Sequence, residues 1–161
     1  MKKVVLGLLA GLWMMLAGCD QSAVYKGVDD LEDGKWYVNK PLEFKFSIDD
    51  TSARYTIYYN IRNSVSYPYY NLYIRRVLLD SAGNTLQSRL DQMILLDPKT
   101  GKPYGDGLGD LFDHRIGMGR NYSFPHTGPY TIQLRQYMRQ NPLPEIYSVG
   151  VTVEKEVPKQ P

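Results

Sequence analysis

Apolar residues recur at every second position through most of the chain. Leu42, Phe44, Phe46 and Ile48 share one parity with charged or polar neighbours between them, and Tyr55, Ile57, Tyr59 and Ile61 repeat the pattern. Side chains of a strand alternate between faces, so this spacing predicts half-buried strands. Tyr70, Leu72 and Ile74 continue it opposite Asn71, Tyr73 and Arg75. Ser81-Ala82-Gly83-Asn84 then supplies turn chemistry for a hairpin into Thr85 to Leu96, a stretch that suits a bent strand or a helical turn. Tyr130, Ile132, Leu134, Gln136 and Met138 form another face, followed by Tyr147, Val149, Val151 and Val153. No window of helical length carries a three-four apolar stripe. About seven strands, with turn signals near every ten residues, predict an all-β antiparallel sandwich of jelly-roll or immunoglobulin-like type over residues 35–156.

The N-terminus breaks this pattern. After Lys2 and Lys3, Val4 to Ala17 is apolar or glycine throughout, too short for the ~20 residues that a spanning helix needs. Basic residues, a short apolar run and small residues before a cut match a secretory signal over residues 1–18. Leu16-Ala17-Gly18-Cys19 places the chain's sole cysteine where a bacterial lipoprotein carries its thioether-linked diacylglycerol. Several acyl chains at ~0.8 kcal/mol per buried methylene hold a protein on a bilayer durably, so the folded domain needs no apolar surface of its own for anchoring. Residues 19–34, with Asp29, Asp30, Glu32 and Asp33, read as the lipidated N-terminus and a flexible soluble tether. Val157 to Pro161 reads as a disordered tail.

Residues 19–161 suffice for one domain with a proper core. Loss of Lys2 and Lys3 reduces the 19 basic residues to 17, equal to the acidic count, so no basic surplus points to nucleic acid. With Cys19 acylated, no thiol is left for a disulfide, a thiolate metal site or a nucleophile.

Two stretches carry candidate contact chemistry. Of 14 tyrosines, half lie between Tyr55 and Tyr73; strand propensity and cross-strand pairing explain most of them. Ser66-Tyr67-Pro68-Tyr69-Tyr70 falls at a turn, where Tyr67, Tyr69 and Tyr70 could grip a protein or a glycan. Asp97 to His114 is rich in glycine and aspartate and reads as one long loop, with Asp106, Leu108 and Asp110 as candidate contacts. Within it Gly105, Gly107 and Gly109 are expected at positive φ, with Asp106 and Asp110 capping turns. The carboxylates and His114 match neither an EF-hand nor a zinc spacing, and the glycines lack the lysine and hydroxyl of a phosphate cradle, so no metal or cofactor is assigned.

An enzyme is not expected. His114 and His126 come without a nucleophile elbow or a zinc-protease helix, and His126 lies in a turn-like Phe124 to Pro129. Paired acids among Asp106, Asp110 and Asp113 have no evident cleft. No small-molecule substrate is expected. A carbohydrate-binding sandwich using tyrosines and calcium is the alternative, although Trp36 beside the first predicted strand suits the core.

The Cys19 lipobox, Asn71-Leu72-Tyr73-Ile74, Gly105-Asp106-Gly107-Leu108-Gly109-Asp110, Gly128-Pro129-Tyr130-Thr131-Ile132, Gln136-Tyr137-Met138-Arg139 and Ile146 to Val151 occur in one order across nearly the whole chain. Together they resemble the GldH gliding motility lipoproteins of Bacteroidetes-type bacteria. The resemblance implies a lipid-anchored envelope protein required for gliding, acting with other gliding-motility envelope proteins and their secretion machinery, and it supplies no catalytic residues. Asp20 after the cysteine would favour the inner membrane under the enteric sorting rule, which such bacteria need not follow. The outer membrane is favoured, on its periplasmic or surface side.

Overall fold

The computed structural model describes residues 22–156. The signal segment 1–18, the lipidation at Cys19 and the tail 157–161 lie outside the described residues. Nine strands follow in chain order: β1 Ala23–Asp30, β2 Leu42–Ile48, β3 Tyr55–Ser64, β4 Asn71–Leu79, β5 Thr85–Ile94, β6 Asp106–Leu108, β7 Leu111–Tyr122, β8 Gly128–Gln136 and β9 Ile146–Lys155. They form a five-stranded sheet, β1-β9-β3-β7-β6, and a four-stranded sheet, β2-β8-β4-β5, with antiparallel pairing throughout. The expected sandwich is what forms. Of the crossovers between the sheets, 49–54 and 123–127 close the near end, where β1 begins, while 31–41, 65–70, 95–105 and 137–145 lie at the far end.

The alternating positions become the core. Phe44, Phe46 and Ile48 of β2 face Tyr55, Ile57, Tyr59 and Ile61 of β3 and Val149, Val151 and Val153 of β9, all essentially buried. Phe124, from the β7–β8 turn, sits 4.7 Å from Tyr122, 4.8 Å from Tyr130 and 5.3 Å from Tyr55 between ring centroids, plugging the near end. Each such pair contributes about 0.5–1.5 kcal/mol beyond area burial. Trp36 is fully buried at the far end, bonded through its backbone to Leu143 in both directions.

Two expectations are corrected. Residues 19–34 are not a flexible tether throughout, because Ala23–Asp30 is a strand paired with β9 from Ala23↔Glu154 to Asp30↔Ser148. Its inward positions are Ala23, Tyr25 and Gly27, while Val24 and Val28 point outward, so the usual apolar-in signal is inverted. Tyr25 anchors it on Phe46 at 5.6 Å. The domain therefore begins well before residue 35.

Nor is Asp97 to His114 one long loop. β6 and β7 form a hairpin inside it, turning at Gly109, which takes φ 75°. Gly105 and Gly107 are glycines for a different reason from the one expected. A Cβ at either would lie 2.5 Å from the Asp113 carbonyl oxygen or 2.3 Å from that of Leu111, so only hydrogen lets β6 approach β7. The turn caps come from Asp50, Asp80 and Asp97, whose carboxylates accept backbone N–H bonds from residues two to four positions on.

Candidate interaction surface

The outward positions of β5, at the edge of the four-stranded sheet, are unusually apolar. On β5, Leu86, Leu90 and Ile94 are each more than two-fifths exposed, and Tyr73 of β4 lies beside them. The chain leaving β8 folds back here: the Tyr137 N–H donates to the Tyr73 carbonyl at 2.8 Å, and the Tyr73 N–H points at Met138 Sδ, 3.3 Å away. Tyr69, Tyr73, Leu90, Tyr137, Met138 and Arg139 thus line an apolar groove of about 450 Å³ at the far half of this face. Tyr69 is fixed by donating its hydroxyl proton to Gln140 Oε1 at 2.8 Å.

The sequence-predicted residues divide around this groove. Tyr67 is buried, donates its hydroxyl to the Asn71 carbonyl at 3.0 Å and packs edge-on against Tyr69, so it belongs to the core and not to an exposed patch. Tyr69 lines the groove, and Tyr70 is about half exposed beside it. Asp106, Leu108 and Asp110 occupy the β6–β7 hairpin, with Leu108 97% exposed at its tip. The Val65 N–H donates to the Asp110 carbonyl at 2.8 Å, which joins the aromatic turn and this hairpin at the same end of the sandwich. Sequence reasoning missed Leu90, Tyr137, Met138 and Arg139. Leu90 shares the apolar parity of β5 with Leu86 and Ile94, but that parity faces outward because Arg89, Asp91 and Met93 take the inward one, and Met138 follows the apolar parity of β8 past the end of the strand.

A second cavity, of about 930 Å³ and bordered by charged residues, opens at the near end among Ser22, Asp50, Arg54, Arg120, Lys155 and Glu156. Lys155 reaches Asp50 at 2.6 Å, and that bond, followed by those from Ser52, holds the Asp50 carboxyl well below the ordinary range. Glu156 accepts the Thr56 hydroxyl at 2.6 Å and the Asn121 N–H at 2.8 Å, which likewise lowers its pKa. Lys155 and Asp50 satisfy one another and tie the end of β9 to the β2–β3 turn, while Glu156 joins that end to β3 and β7. Among the described residues no group of His, Cys, Asp or Glu is placed to hold a metal ion. Trp36, the aromatic most suited to sugar stacking, is fully buried.

Burial also sets the titration of His114. Lying under Gly105 with its Nε2 buried and unbonded, it has its pKa lowered by desolvation, against the opposing pull of Asp113 and Asp106. The fold holds it neutral, while the unfolded chain takes a proton below about pH 6.5. Unfolded chains therefore bind more protons in acid, and stability falls as pH drops through 6.5 towards the lower folded value. His114→Leu should flatten the urea midpoint between pH 7.5 and 5.5; an unchanged slope would show that other groups set it.

The GldH lipoprotein family model matches residues 23–153. The gliding motility lipoprotein GldH homolog of Christiangramia forsetii is 25% identical over 149 residues, covering 88% of this chain and 90% of that protein. The gliding motility lipoprotein GldH of Flavobacterium johnsoniae is 22% identical over 157 residues, covering 93% and 96%. Among solved structures, an arabinose-bound α-L-arabinofuranosidase gives a TM-score of 0.37 at 9% identity over 80% of this chain and 19% of its own. The VP2 subviral particle of infectious bursal disease virus gives 0.37 at 13% identity, over 83% of this chain and 32% of its own. The chain spans less than a third of either structure, and such scores carry nothing over to it. From the family match across the whole sandwich, the chain belongs to the GldH lipoprotein family.

Proposed function

We propose that this lipoprotein is a non-catalytic interaction component of the gliding machinery, held on the outer membrane through acyl chains on Cys19 and binding other envelope proteins of that machinery. The observation that carries this reading is the exposed apolar and aromatic surface of the far end and outer face, where Tyr70, Leu90, Leu108 and Tyr137 stand 48, 52, 97 and 54% exposed. Aromatic residues with hydroxyl tips are enriched in protein interfaces, and a groove among them offers the pocket in which such anchors pair. Its placement supports the same conclusion. Ser22 lies at the near end, and the three residues from Cys19 to it span at most about 10 Å. The ten residues of β3 run about 33 Å from there to the far end. The groove and hairpin are thus carried away from the point of attachment.

The test is in-cell crosslinking with mass spectrometry, comparing the native protein with a Tyr70→Asp, Tyr137→Asp double variant. Both side chains are exposed, so the variant should fold and reach the membrane at native levels. Losing two aromatic anchors at about 2 kcal/mol each weakens binding by roughly two to three orders of magnitude. Its crosslinked neighbours should disappear and gliding should stop. Unchanged neighbours and gliding would overturn the assignment.

A further inference from the structure

β5 is a ten-residue edge strand: it pairs with β4 on one side, and among the described residues no strand meets its other side. Alternate residues of an antiparallel strand aim their N–H and C=O groups at alternate neighbours, so about half of the backbone of β5 points into open space. Natural sheets blunt such edges with lysine, proline or brevity. β6 is only three residues long and β2 carries Lys45, whereas β5 has neither lysine nor proline, and its bulge, which leaves Leu86 between the Leu78–Gln87 and Leu79–Thr85 pairs, lies at its near end, so 87–94 pairs regularly.

The sequence of β5 is also symmetric about Leu90. Leu86 and Ile94 lie four residues before and after it, and Arg89 and Asp91 lie one before and one after. Leu90 and Ile94 point outward, while Arg89, Asp91 and Met93 lie on the inward parity, with Met93 buried and Arg76 reaching Asp91 from the core. We infer that β5 pairs antiparallel with β5 of a second copy of this chain about a two-fold axis at Leu90, joining two four-stranded sheets into one of eight. In that register Leu90 meets Leu90 of the second copy and Arg89 meets its Asp91 twice over by symmetry, with Leu86, at the bulge, coming beside its Ile94. Arg89 is available for this, being 60% exposed and 3.7 Å from its own Asp91. An unrelated strand would have no need of this palindrome; only self-pairing uses both halves of it.

The pairing also fixes an orientation. The two strands run in opposite directions, yet both chains are attached to one leaflet, so the two-fold axis must stand along the membrane normal. The sandwich then lies flat, with the five-stranded sheet that carries β1 towards the lipid and the groove facing away from it.

The test is Leu90→Cys in the full-length lipoprotein, expressed in its own cells and analysed on non-reducing gels. Directly opposed residues of an antiparallel pair have Cα atoms about 4.5–5.5 Å apart, within the range a disulfide spans. A homodimer should form at position 90, while Val28→Cys, equally exposed on β1, should stay monomeric. Adding Arg89→Asp sets aspartate against Asp91 at both symmetric positions and should lower the crosslinked fraction roughly tenfold. Three outcomes would overturn the inference: no dimer from a Leu90→Cys protein that is folded by protease resistance, equal dimer from Val28→Cys, or a disulfide to a different protein.

Discussion

Replacing Asp91 with alanine is expected to destabilise the fold by about 3–5 kcal/mol, the cost of leaving a buried charge unpaired. Arg76 is 3% exposed on the inward face of β4, and its guanidinium has two partners from β5: Asp91 at 3.1 Å and the Gln87 side-chain oxygen at 2.7 Å. The same carboxylate accepts the hydroxyl of buried Tyr59 at 2.6 Å from the opposite sheet. Alanine thus strands a cation and orphans a phenol, the latter adding about 1 kcal/mol. Typical domains hold about 5–15 kcal/mol in all, so the loss is roughly a quarter or more of the total. Urea unfolding of the detergent-solubilised protein, followed by limited proteolysis, measures it. A double variant, Arg76→Met with Asp91→Leu, removes both charges and should recover most of the loss. If the double variant is as unstable as the single one, shape and not charge holds this site.

Cys19→Ala is expected to have the largest effect on function with the least on folding. A single acyl chain binds a bilayer only marginally, with an association constant of about 10⁴ M⁻¹, whereas two or more make release negligible. Without them the protein should move from the membrane pellet to the soluble fraction and gliding should cease, while the sandwich, whose described residues begin at Ser22, folds as before. Normal gliding by this variant at native expression would count heavily against an anchored role.

The strands facing the core were legible because inward positions there are apolar and outward ones polar, as in β2, β3, β4 and β8. β1 was hidden because its larger apolar residues, Val24 and Val28, are on the wrong face and its end is acidic. The β6–β7 hairpin was hidden because glycine signals turns in sequence, whereas Gly105 and Gly107 serve close approach between strands. The functional surface was half visible. Tyr69, Tyr70 and Leu108 are local signals, but the groove is assembled from β4, β5 and the chain after β8, and no single stretch contains it. Tyr67 shows the converse: an aromatic at a turn can belong wholly to the core when the turn folds back over the sheet end.

The pairing of β1 with β9 along its whole length has a mechanical consequence. Tension entering at the amino terminus along the axis of β1 would load that ladder in shear, so that its hydrogen bonds resist together. A pull across the sheet would instead peel them one after another from Ala23 onwards. Pulled along β1, the domain is therefore gripped in its stronger direction.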